Sequence, residues 1–431
     1  MLDIGFIREN TDRVKAAVKA KQSSVDIDRL LELDSSRREA LSAVEHLRQQ
    51  RNEHSKVLQA GRPTDEQIET GKRIKTELST AEASYEDVDS EYQELLLSVP
   101  NVISEDTPIG QDEDDNQVVR QWGEPTVFEF KARDHVELME GLGLLDVERA
   151  AKVSGARFNF IKGDLALMQF SLQQFVVDVL TDESVISEII KDAGLELPST
   201  PFVPVIPPVL VRPETMDRMA RLHPKDDRFI TLEEEYALVG SAEHSLGAMY
   251  MDEILGASDL PLRYIGYSSA FRREAGSYGK DTRGILRQHQ FDKLEMETFS
   301  SRENGLKEHH LMVAIQEYLM QQLELPYQVV AICSGDMGAP DYRQSDIETW
   351  LPGQEAYRET HTADYMSDYQ ARRLKTRYKN NSHTEYTHMN DATAMAMGRT
   401  LIAIIENYQT ESGTVSVPSV LQPYIKKEEI A

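Results

Sequence analysis

A run of mostly apolar residues at alternating steps of three and four is the feature that most restricts the fold of this 431-residue chain. The run comprises Gly71, Ile74, Leu78, Ala81, Tyr85, Val88, Tyr92 and Leu95. This spacing is a heptad seam, which predicts a helix that packs along its length against another helix. The segment is therefore incompatible with a sheet, and it needs a helical partner.

An earlier segment is suited to be that partner. Residues from about 28 to 58 have a helical pattern, and Gly61-Arg62-Pro63-Thr64 supplies turn residues after them. Arg37 and Arg51 interrupt the register of its apolar face, which carries Leu30, Leu33, Leu41, Val44 and Leu47. We predict an antiparallel helical hairpin over about residues 27–98, within an N-terminal domain of residues 1–105. At about 1.5 Å per residue, the hairpin would be roughly 45 Å long.

The charge distribution along this hairpin indicates a role. Between residues 48 and 75, near the turn, cationic residues outnumber acidic ones. The cations are Arg48, Arg51, Lys56, Arg62, Lys72, Arg73 and Lys75. The rest of the second helix is acidic. A basic tip on an acidic stalk suits contact with a phosphate backbone. A dimerisation coiled coil is the alternative that the apolar pattern alone allows.

Composition excludes several classes of protein. A net charge of −27 argues against a protein that coats nucleic acid by bulk attraction, so an RNA contact must be local. Cys333 is the only cysteine, which excludes a disulfide framework and a cysteine-based zinc cluster. The N-terminus lacks a signal-peptide pattern, and residues 197–211 contain five prolines and are too short to span a bilayer. We expect a cytoplasmic protein without membrane contact or zinc.

An acidic stretch marks a domain boundary. Residues 101–125 carry two acidic runs, at 104–106 and 112–115, among Pro, Gly and Asn, which is typical of a linker. Strand-like and helical segments alternate after it. We predict a linker over residues 106–125 and a second domain over residues 126–431.

Residues 270–295 carry the clearest chemical signal, in the pattern of a strand, a glycine-rich loop and a second strand. The cations of this stretch are Arg272, Arg273, Lys280, Arg283 and Arg287. Clustered arginines match carboxylate and phosphate oxygens when they are partly buried. The loop lacks the spacing of a P-loop. A solvated charged hairpin is the alternative interpretation.

This stretch resembles motif 2 of class II aminoacyl-tRNA synthetases in its seryl form. Residues 398–409, an arginine that opens an apolar helix, resemble motif 3, and residues 207–211 resemble the strand end of motif 1. Ser241-Ala242-Glu243-His244 is similar to the Thr-Ala-Glu element of the seryl family, with serine in place of threonine. Residues 359–373 resemble a further seryl-specific segment. The resemblance extends from end to end and includes the N-terminal hairpin.

The resemblance implies an α+β fold, with a class II antiparallel sheet flanked by helices and an N-terminal coiled-coil arm. It implies a homodimer that uses ATP to activate serine as seryl-adenylate, releasing pyrophosphate, and then transfers serine to the 3′ end of serine tRNA. The arm would bind the long variable region of that tRNA, so the seven cations near the turn are the expected tRNA contacts. Selenocysteine tRNA is left open as a second acceptor.

The resemblance also implies the residues of the active site. Arg272 and Arg399 are the expected catalytic residues, because they would neutralise the phosphates. The expected ATP contacts are Arg272, Arg273, Glu274, Arg287, Phe291, Glu359, Thr360, His361, Thr362 and Arg399. The expected serine contacts are Ser241, Ala242, Glu243, Arg272, Glu295, Asp391 and Thr393. Glu359 and Thr362 would hold Mg²⁺, which prefers oxygen ligands.

Two departures from the family pattern concern the serine pocket. Thr362-Ala363-Asp364-Tyr365 stands where the family usually has Ser-Cys-Ser-Asn, and Asp391 stands where asparagine is usual. A second carboxylate near Glu295 would raise the pKa of one of the two groups. Alternatively, Asp391 pairs with an arginine such as Arg372 or Arg373.

Two rival functions stay open from the sequence. A synthetase-like ligase could form the adenylate but deliver the amino acid to a carrier protein, and such an enzyme would have little use for a basic-tipped arm. A non-enzymatic paralogue could serve as an RNA-binding or structural protein. The presence of Arg272, Glu274, Glu359 and Arg399 argues against that second possibility.

Overall fold

The computed structural model describes residues 1–59, 62–233, 235–275, 284–380 and 383–431. Over these ranges the chain divides into two units, Met1–Val102 and Ile103–Ala431. Gly61 of the predicted turn, and Lys280 and Arg283 of the cationic loop, lie outside the described residues.

The first unit is helical. Two short helices, α1 (Ile4–Glu9) and α2 (Thr11–Ala20), precede two long helices, α3 (Ile27–Gln59) and α4 (Asp65–Ser98). The long helices pack against each other, and every position of the predicted heptad seam is buried or half-buried. The predicted antiparallel arm is therefore confirmed.

Arg37, one of the two arginines that interrupt the apolar face of α3, lies between the two long helices. Arg37 forms an ion pair with Asp89 of α4. Its guanidinium lies 4.9 Å from the centre of the Tyr92 ring, a cation–π arrangement. A polar residue thus occupies an apolar position because the facing helix supplies both a carboxylate and an aromatic face.

Local sequence also explains where α4 begins. The Thr64 hydroxyl accepts a hydrogen bond from the Gln67 N–H at 3.3 Å, and the Gln67 side chain accepts one from the Thr64 N–H at 2.9 Å. This reciprocal pair is a capping box, which satisfies backbone donors that the first turn leaves unpaired. Thr64, the last of the predicted turn residues, is therefore also the N-cap of α4.

The second unit combines helices with sheets. Its helices are α5 (His135–Gly141), α6 (Val147–Ser154), α7 (Gly163–Thr181), α8 (Glu183–Asp192), α9 (Pro213–Arg218), α10 (Glu243–Leu246), α11 (Gly305–Gln322), α12 (Tyr369–Leu374), α13 (Met397–Asn407) and α14 (Gln422–Ile425). Its strands are β1 (Gln117–Trp122), β2 (Leu145–Asp146), β3 (Phe160–Ile161), β4 (Val203–Val205), β5 (Leu210–Val211), β6 (Ala237–Leu238), β7 (Ile254–Gly256), β8 (Leu262–Phe271), β9 (Gln290–Ser300), β10 (Tyr327–Ala331), β11 (Arg343–Leu351), β12 (Ala356–Ser367), β13 (Arg377–Asn380), β14 (His383–Tyr386), β15 (His388–Ala396), β16 (Val415–Ser416) and β17 (Glu429–Ile430).

Within the described ranges, eight strands form the main sheet, in the order β1-β10-β11-β12-β15-β9-β8-β4. Neighbouring strands are antiparallel except β4 and β8, which run parallel. Helices α7, α11 and α13 bury apolar faces in the core that covers the sheet, with Leu172, Leu311, Ile315, Leu401 and Ile405 fully buried. This arrangement is the predicted α+β fold with a mostly antiparallel sheet flanked by helices.

The predicted linker is wrong in its second half. Residues 117–122 form β1, which pairs with β10 and extends the main sheet. The acidic residues before it form a 3₁₀ turn over Glu113–Asp115. Polar composition and the exposure of β1 on an edge concealed this strand, because an edge strand needs no long apolar run.

The motif predictions fare better. Strands β8 and β9 flank the cationic loop, as the strand–loop–strand pattern predicts, and Arg399 lies in the first turn of α13. The candidate strand of motif 1 contributes only β5, which pairs with β6 outside the main sheet. Among the described residues, no helix has the length and apolar composition that crossing a bilayer requires.

Candidate active site

The second unit carries a cavity of about 370 Å³ at the main sheet. Strands β9, β11, β12 and β15 line it together with the first turns of α10 and α13 and the residues that follow β8. Its lining is rich in charged residues of both signs: Arg221, Arg272, Lys293, Arg399, Glu243, Glu295, Glu359, Asp364 and Asp391.

Strand pairing explains why these side chains meet. Residues two apart on a strand face the same side, so Lys293 and Glu295 of β9 share one face. On β15, which lies between β9 and β12, Thr393 is opposite Glu295 and Asp391 is opposite Asp364. The sheet thus gathers side chains from segments that are far apart in the chain.

Arg272 and Phe291 form a cation and an aromatic face side by side. Arg272 follows the end of β8, and its Nε donates a hydrogen bond to the carbonyl of Gly240 at 3.1 Å. Its guanidinium lies 5.4 Å from the centre of the Phe291 ring. Both contacts restrict the rotamers of a long side chain, so the charge has a defined position in the cavity.

Glu274 and Arg287 form an ion pair across the two ends of the cationic loop, with 3.3 Å between Oε2 and Nη1. Glu274 has a φ of +51°, a left-handed backbone conformation that non-glycine residues seldom adopt. Such conformations concentrate at ligand sites, where the surroundings hold them. The pair therefore gives the mouth of the loop a fixed carboxylate that lines the cavity.

A second arginine reaches the cavity from α13. The Arg399 Nη1 donates to Oε1 of Glu359 at 2.6 Å and to its backbone carbonyl at 3.0 Å. Desolvation within the cavity works against ionisation of Glu359, but the charge and hydrogen bond of Arg399, together with the charges of Arg272 and Lys293, outweigh it and lower the pKa of this carboxyl. The Glu359 side chain remains 48% exposed, so the carboxylate stays accessible to a ligand.

A buried triad lies between β9 and β15. Nζ of Lys293 is 2.5 Å from Oε2 of Glu295 and donates to Oγ1 of Thr393 at 3.2 Å. Burial raises the pKa of Glu295, although the charge of Lys293 opposes the rise. The triad presents a carboxyl and a hydroxyl whose positions are fixed by one ammonium group.

Oxygen atoms suited to a divalent ion gather near Glu359. Asp346 of β11 is opposite Thr362 of β12, and both line the cavity. Oδ1 of Asp346 is buried and has no hydrogen-bond partner among the residues the structure describes. Burial, reinforced by the charge of Glu359, raises the pKa of Asp346 well above its usual range. An all-oxygen set with repelling carboxyl groups fits Mg²⁺, whose charge would relieve the repulsion.

Four carboxyl groups surround Arg221. Its Nε is 3.0 Å from Oε1 of Glu243, and its Nη2 is 3.4 Å from both Asp364 and Asp391 and 3.6 Å from Asp341. All four acidic residues are buried. Three of them line the cavity with Arg221, so this network forms part of its wall: Glu243, Asp364 and Asp391.

This network answers the question that the sequence left open about Asp391. The arginine that it meets is Arg221; Arg372 and Arg373 pair instead with aspartates of their own. A rise in pKa also occurs, but the neighbouring carboxyl group that contributes is Glu243 rather than the predicted Glu295. Burial, and after it the charge of Glu243, raises the pKa of Asp391 well above its usual range.

Comparison with known proteins assigns both units. Residues 1–103 match the family model of the seryl-tRNA synthetase N-terminal domain, and residues 227–408 match the tRNA synthetase class II core domain (G, H, P, S and T). Serine–tRNA ligases of Nitrosopumilus maritimus and Symbiobacterium thermophilum are 37% and 41% identical, with 100% of both chains covered in each case. The chain belongs to the seryl-tRNA synthetase family.

Solved structures of the family agree with this fold. A seryl-tRNA synthetase from Pyrococcus horikoshii, complexed with ATP, is similar with a TM-score of 0.90 at 35% identity, covering 100% of this chain and 99% of that one. The cytoplasmic serine–tRNA ligase of Naegleria fowleri, in complex with AMP, has a TM-score of 0.85 at 31% identity and coverages of 100% and 98%. The likeness therefore spans the arm and the class II core of this seryl-tRNA synthetase family member.

Most residues predicted from the family resemblance lie at one cavity. The predicted residues that line it are Arg272, Glu274, Arg287, Phe291, Glu359, Thr360, Thr362, Arg399, Glu243, Glu295, Asp391 and Thr393. Ser241 and Ala242 are buried just before α10 and are not among the described lining residues.

Two predicted ATP contacts are not among the described residues that line the cavity. Arg273 is exposed and outside the described lining of the cavity. His361 of β12 is buried and is not among the described lining residues, although Thr360 and Thr362 on either side of it line the cavity. Burial lowers the pKa of His361 to about 3, which leaves the imidazole uncharged at neutral pH and unsuited to neutralising a phosphate.

The seven cations predicted at the arm tip are all exposed. Arg48 pairs with Glu82 at 2.7 Å, and Arg73 lies 3.8 Å from Glu77. The remaining five form no ion pair within the described part of the arm: Arg51, Lys56, Arg62, Lys72 and Lys75. The tip therefore presents more cations than ion pairs among its described residues.

Several lining residues escaped the sequence analysis, among them the charged residues Arg221, Lys293 and Asp346. Period-two alternation with Glu295 could have identified Lys293, because both lie on one strand. Asp346 could have been found in the same way on β11. Arg221 offers no local signal, because its partners come from four separate segments of the chain.

Proposed function

We propose that the protein activates serine with ATP, forming seryl-adenylate and pyrophosphate, and then transfers serine to the 3′ end of serine tRNA. The cavity that joins Arg272, Phe291, Glu295 and Thr393 carries this proposal. It offers a cation for carboxylate and phosphate groups, an aromatic face for a base, and polar atoms for a hydroxyl. The family relatives named as serine–tRNA ligases support the same reaction.

Adenylate formation needs little acid–base chemistry from the protein. The serine carboxylate attacks the α-phosphate of ATP, and it is already a nucleophile at neutral pH. Positioning and charge neutralisation therefore dominate catalysis. We assign Arg272 to the serine carboxylate and the α-phosphate, and Arg399 to the γ-phosphate side, where it would stabilise the departing pyrophosphate.

The adenine end of ATP falls to Glu274 and Phe291. A carboxylate can accept a hydrogen bond from the adenine amino group, and a phenyl ring can stack on the base. Arg287 lies beside Glu274 and is available to the phosphates. Exposed Arg273 and uncharged His361 are not assigned to ATP.

Serine recognition is assigned to Glu295 and Thr393 for the hydroxyl, and to Glu243 for the ammonium group. Lys293 donates to Oγ1 of Thr393, so the hydroxyl proton of Thr393 must point elsewhere. That proton can be donated to the serine side chain, while Glu295 accepts from it. Asp391, next to Glu243 in the Arg221 network, adds a polar neighbour to the same end.

Glu359 and Thr362 are proposed to hold Mg²⁺, with Asp346 beside them. When bound, the ion would supply positive charge to the phosphates of ATP. Arg399 would then keep Glu359 oriented, because its guanidinium contacts both the carboxylate and the carbonyl of that residue. No zinc is proposed.

The arm is proposed to bind the long variable region of serine tRNA through its basic tip. Five exposed cations that form no ion pair with the described residues of the arm suit contacts with phosphates, which recognise shape rather than sequence. Selenocysteine tRNA would be accepted on the same basis if its variable region has the same shape. A carrier-protein ligase would gain nothing from this tip.

A homodimer and a cytoplasmic location complete the proposal. Val203, Ile206 and Leu210 in and near the motif 1 segment are 54%, 88% and 45% exposed, which suits an interface with a second copy. The Naegleria relative is described as cytoplasmic, and a lone buried cysteine suits a reducing compartment.

The decisive experiment is amino-acid-dependent ATP–pyrophosphate exchange with each of the twenty standard amino acids, followed by charging of serine tRNA. Serine alone should support rapid exchange, and the product should be seryl-tRNA. Exchange that is fastest with another amino acid would contradict the seryl assignment. Exchange with serine but no charging of tRNA would favour the carrier-protein alternative.

A further inference from the structure

Arg221 is a half-buried cation that none of the roles above employs. It lies three residues after the end of α9, its side chain is 14% exposed, and it lines the cavity. Arg221 lies in none of the sequence motifs described above. Its significance lies in the acidic side chains that the fold places around it.

Its four acidic partners come from separate elements. Glu243 begins α10, Asp341 precedes β11, Asp364 lies on β12 and Asp391 on β15. Each has a carboxylate oxygen within 3.6 Å of an Arg221 nitrogen. A single guanidinium therefore connects four segments at the amino-acid end of the cavity, by means of its planar set of donors.

The consequences for Glu243 are specific. Burial opposes ionisation of this carboxyl, but Arg221, followed by neighbouring His244, holds its pKa well below the usual range. Asp391 hydrogen-bonds to the same carboxyl. Glu243 is thus kept anionic and held from two sides, while Glu295 and Glu297 add nearby acidic groups that would otherwise discourage a further negative charge.

We propose that Arg221 is a positioning residue for amino-acid binding, which holds Glu243 as an oriented carboxylate for the substrate ammonium group and fixes Asp364 and Asp391 around it. The inference rests on the proposed function, because it takes serine as the amino acid. Arg221 would act through its acidic partners, which its guanidinium contacts directly.

A competing use of these acids is a metal ion. Oxygen atoms of Glu243, Glu295 and Asp391 lie within 4.8 Å of one another, close enough to ligate one cation. Two cations already serve this trio, since Arg221 contacts Glu243 and Asp391 while Lys293 contacts Glu295. The geometry therefore favours a built-in cation over a bound ion.

The test is serine-dependent pyrophosphate exchange by Arg221→Gln, with serine varied at saturating ATP and ATP varied at saturating serine. The KM for serine should rise about tenfold, as for loss of a hydrogen bond to a charged group, whereas the KM for ATP should change less than about twofold. Arg221→Lys should recover part of the loss, because it restores the charge without the fork of donors.

Two further variants isolate the mechanism. Arg218→Gln, three positions earlier, removes an arginine that pairs with Asp252 and is not among the described lining residues, and it should leave the KM for serine unchanged. Adding Asp341→Asn to Arg221→Gln removes one of the carboxylates that Arg221 compensates. Asp341 is not among the described lining residues, so the double variant should regain serine affinity relative to Arg221→Gln.

Two results would overturn the inference. One is an unchanged KM for serine in Arg221→Gln with an unchanged melting temperature. The other is a parallel worsening of both KM values and of kcat with a lowered melting temperature, which indicates a structural role alone. A wild-type protein that shows no serine-dependent exchange would contradict the proposed function itself, and with it this inference, so the two failures are distinguishable.

Discussion

The arm and the cavity use the same charged residue types in opposite ways. At the arm tip, arginines and lysines are exposed and mostly unpaired. In the cavity, Lys293 is buried and Arg221 is only 14% exposed, and each contacts acidic neighbours. Exposed ion pairs contribute about 0–1 kcal/mol, whereas removing one partner of a buried pair costs about 3–5 kcal/mol. We therefore expect graded responses to substitution in the arm and steep, non-additive ones in the cavity.

The largest expected effect concerns the cavity and its substrate. Alanine would leave the polar atoms of Glu295 and Thr393 unpaired, so kcat/KM for exchange should fall by about 10⁴ relative to serine. Threonine adds only a methyl group and should be excluded less strongly. Asp391→Asn should preserve this ranking. Exchange with alanine that approaches the serine rate would show that Glu295 and Thr393 do not bind the hydroxyl.

The next largest effect is that of Arg272→Ala. Loss of a fixed cation at the reacting groups should lower exchange by roughly 10²–10³, about 3–4 kcal/mol of transition-state stabilisation. The melting temperature should stay close to the wild-type value, because Arg272 faces the cavity. Exposed Arg273, its neighbour, supplies the matched control as Arg273→Ala. Equal losses in both variants would contradict the assignment of Arg272.

Replacing residues 29–96 by a short linker should separate the two units functionally. Exchange with serine should survive, because the cavity is built entirely from the second unit. Charging of tRNA should fall by about a hundredfold or more, since most phosphate contacts would be lost. Undiminished charging would show that the arm has a structural or dimerising role instead.

Single substitutions at the arm tip should have much smaller effects. Lys75→Ala should lower charging by about two- to fivefold and reduce the salt dependence of tRNA binding by about one phosphate contact. Exchange should be unaffected. Lys19→Ala removes an exposed charge from α2 and serves as the control. If both lysines prove equivalent, the tip is not the tRNA contact.

The smallest expected effect is on stability. Glu297 is fully buried, its carboxyl oxygens have no hydrogen-bond partner among the described residues, and burial followed by the charge of Glu243 raises its pKa well above the usual range. The folded protein therefore keeps a proton on Glu297 above about pH 4.3, where the unfolded chain loses it. The free energy of unfolding then falls as pH rises from about 4.3 toward the raised pKa of Glu297 in the folded protein.

Glu297→Gln removes this titration. Its melting temperature relative to wild type should therefore increase from pH 5 to pH 8, by roughly a few degrees. Glu86→Gln, at an exposed position of α4, should show no such trend. A difference between Glu297→Gln and wild type that is independent of pH would refute the buried protonated carboxyl.

How far sequence analysis reached also differs between the two regions. The arm was predictable because its interactions are periodic: α3 and α4 begin and end close to the boundaries that the heptad spacing indicates. In the cavity, the motif residues were found by family resemblance, residue by residue. Strand β1 was missed because its context is acidic and its position is at an edge. Arg221 was missed because its contacts depend on tertiary structure alone.

The contacts of Arg37 with α4 fix how the two long helices of the arm align, and therefore how far the tip of the arm reaches. Apolar residues tolerate a shift of one heptad between facing helices, but Arg37 would then lose both Asp89 and Tyr92. A slip of seven residues would move the tip by about 10 Å. Because the contacts of Arg37 allow only one alignment of the two helices, the arm has a defined length. That length sets the distance between the base of the hairpin and any partner that binds its tip.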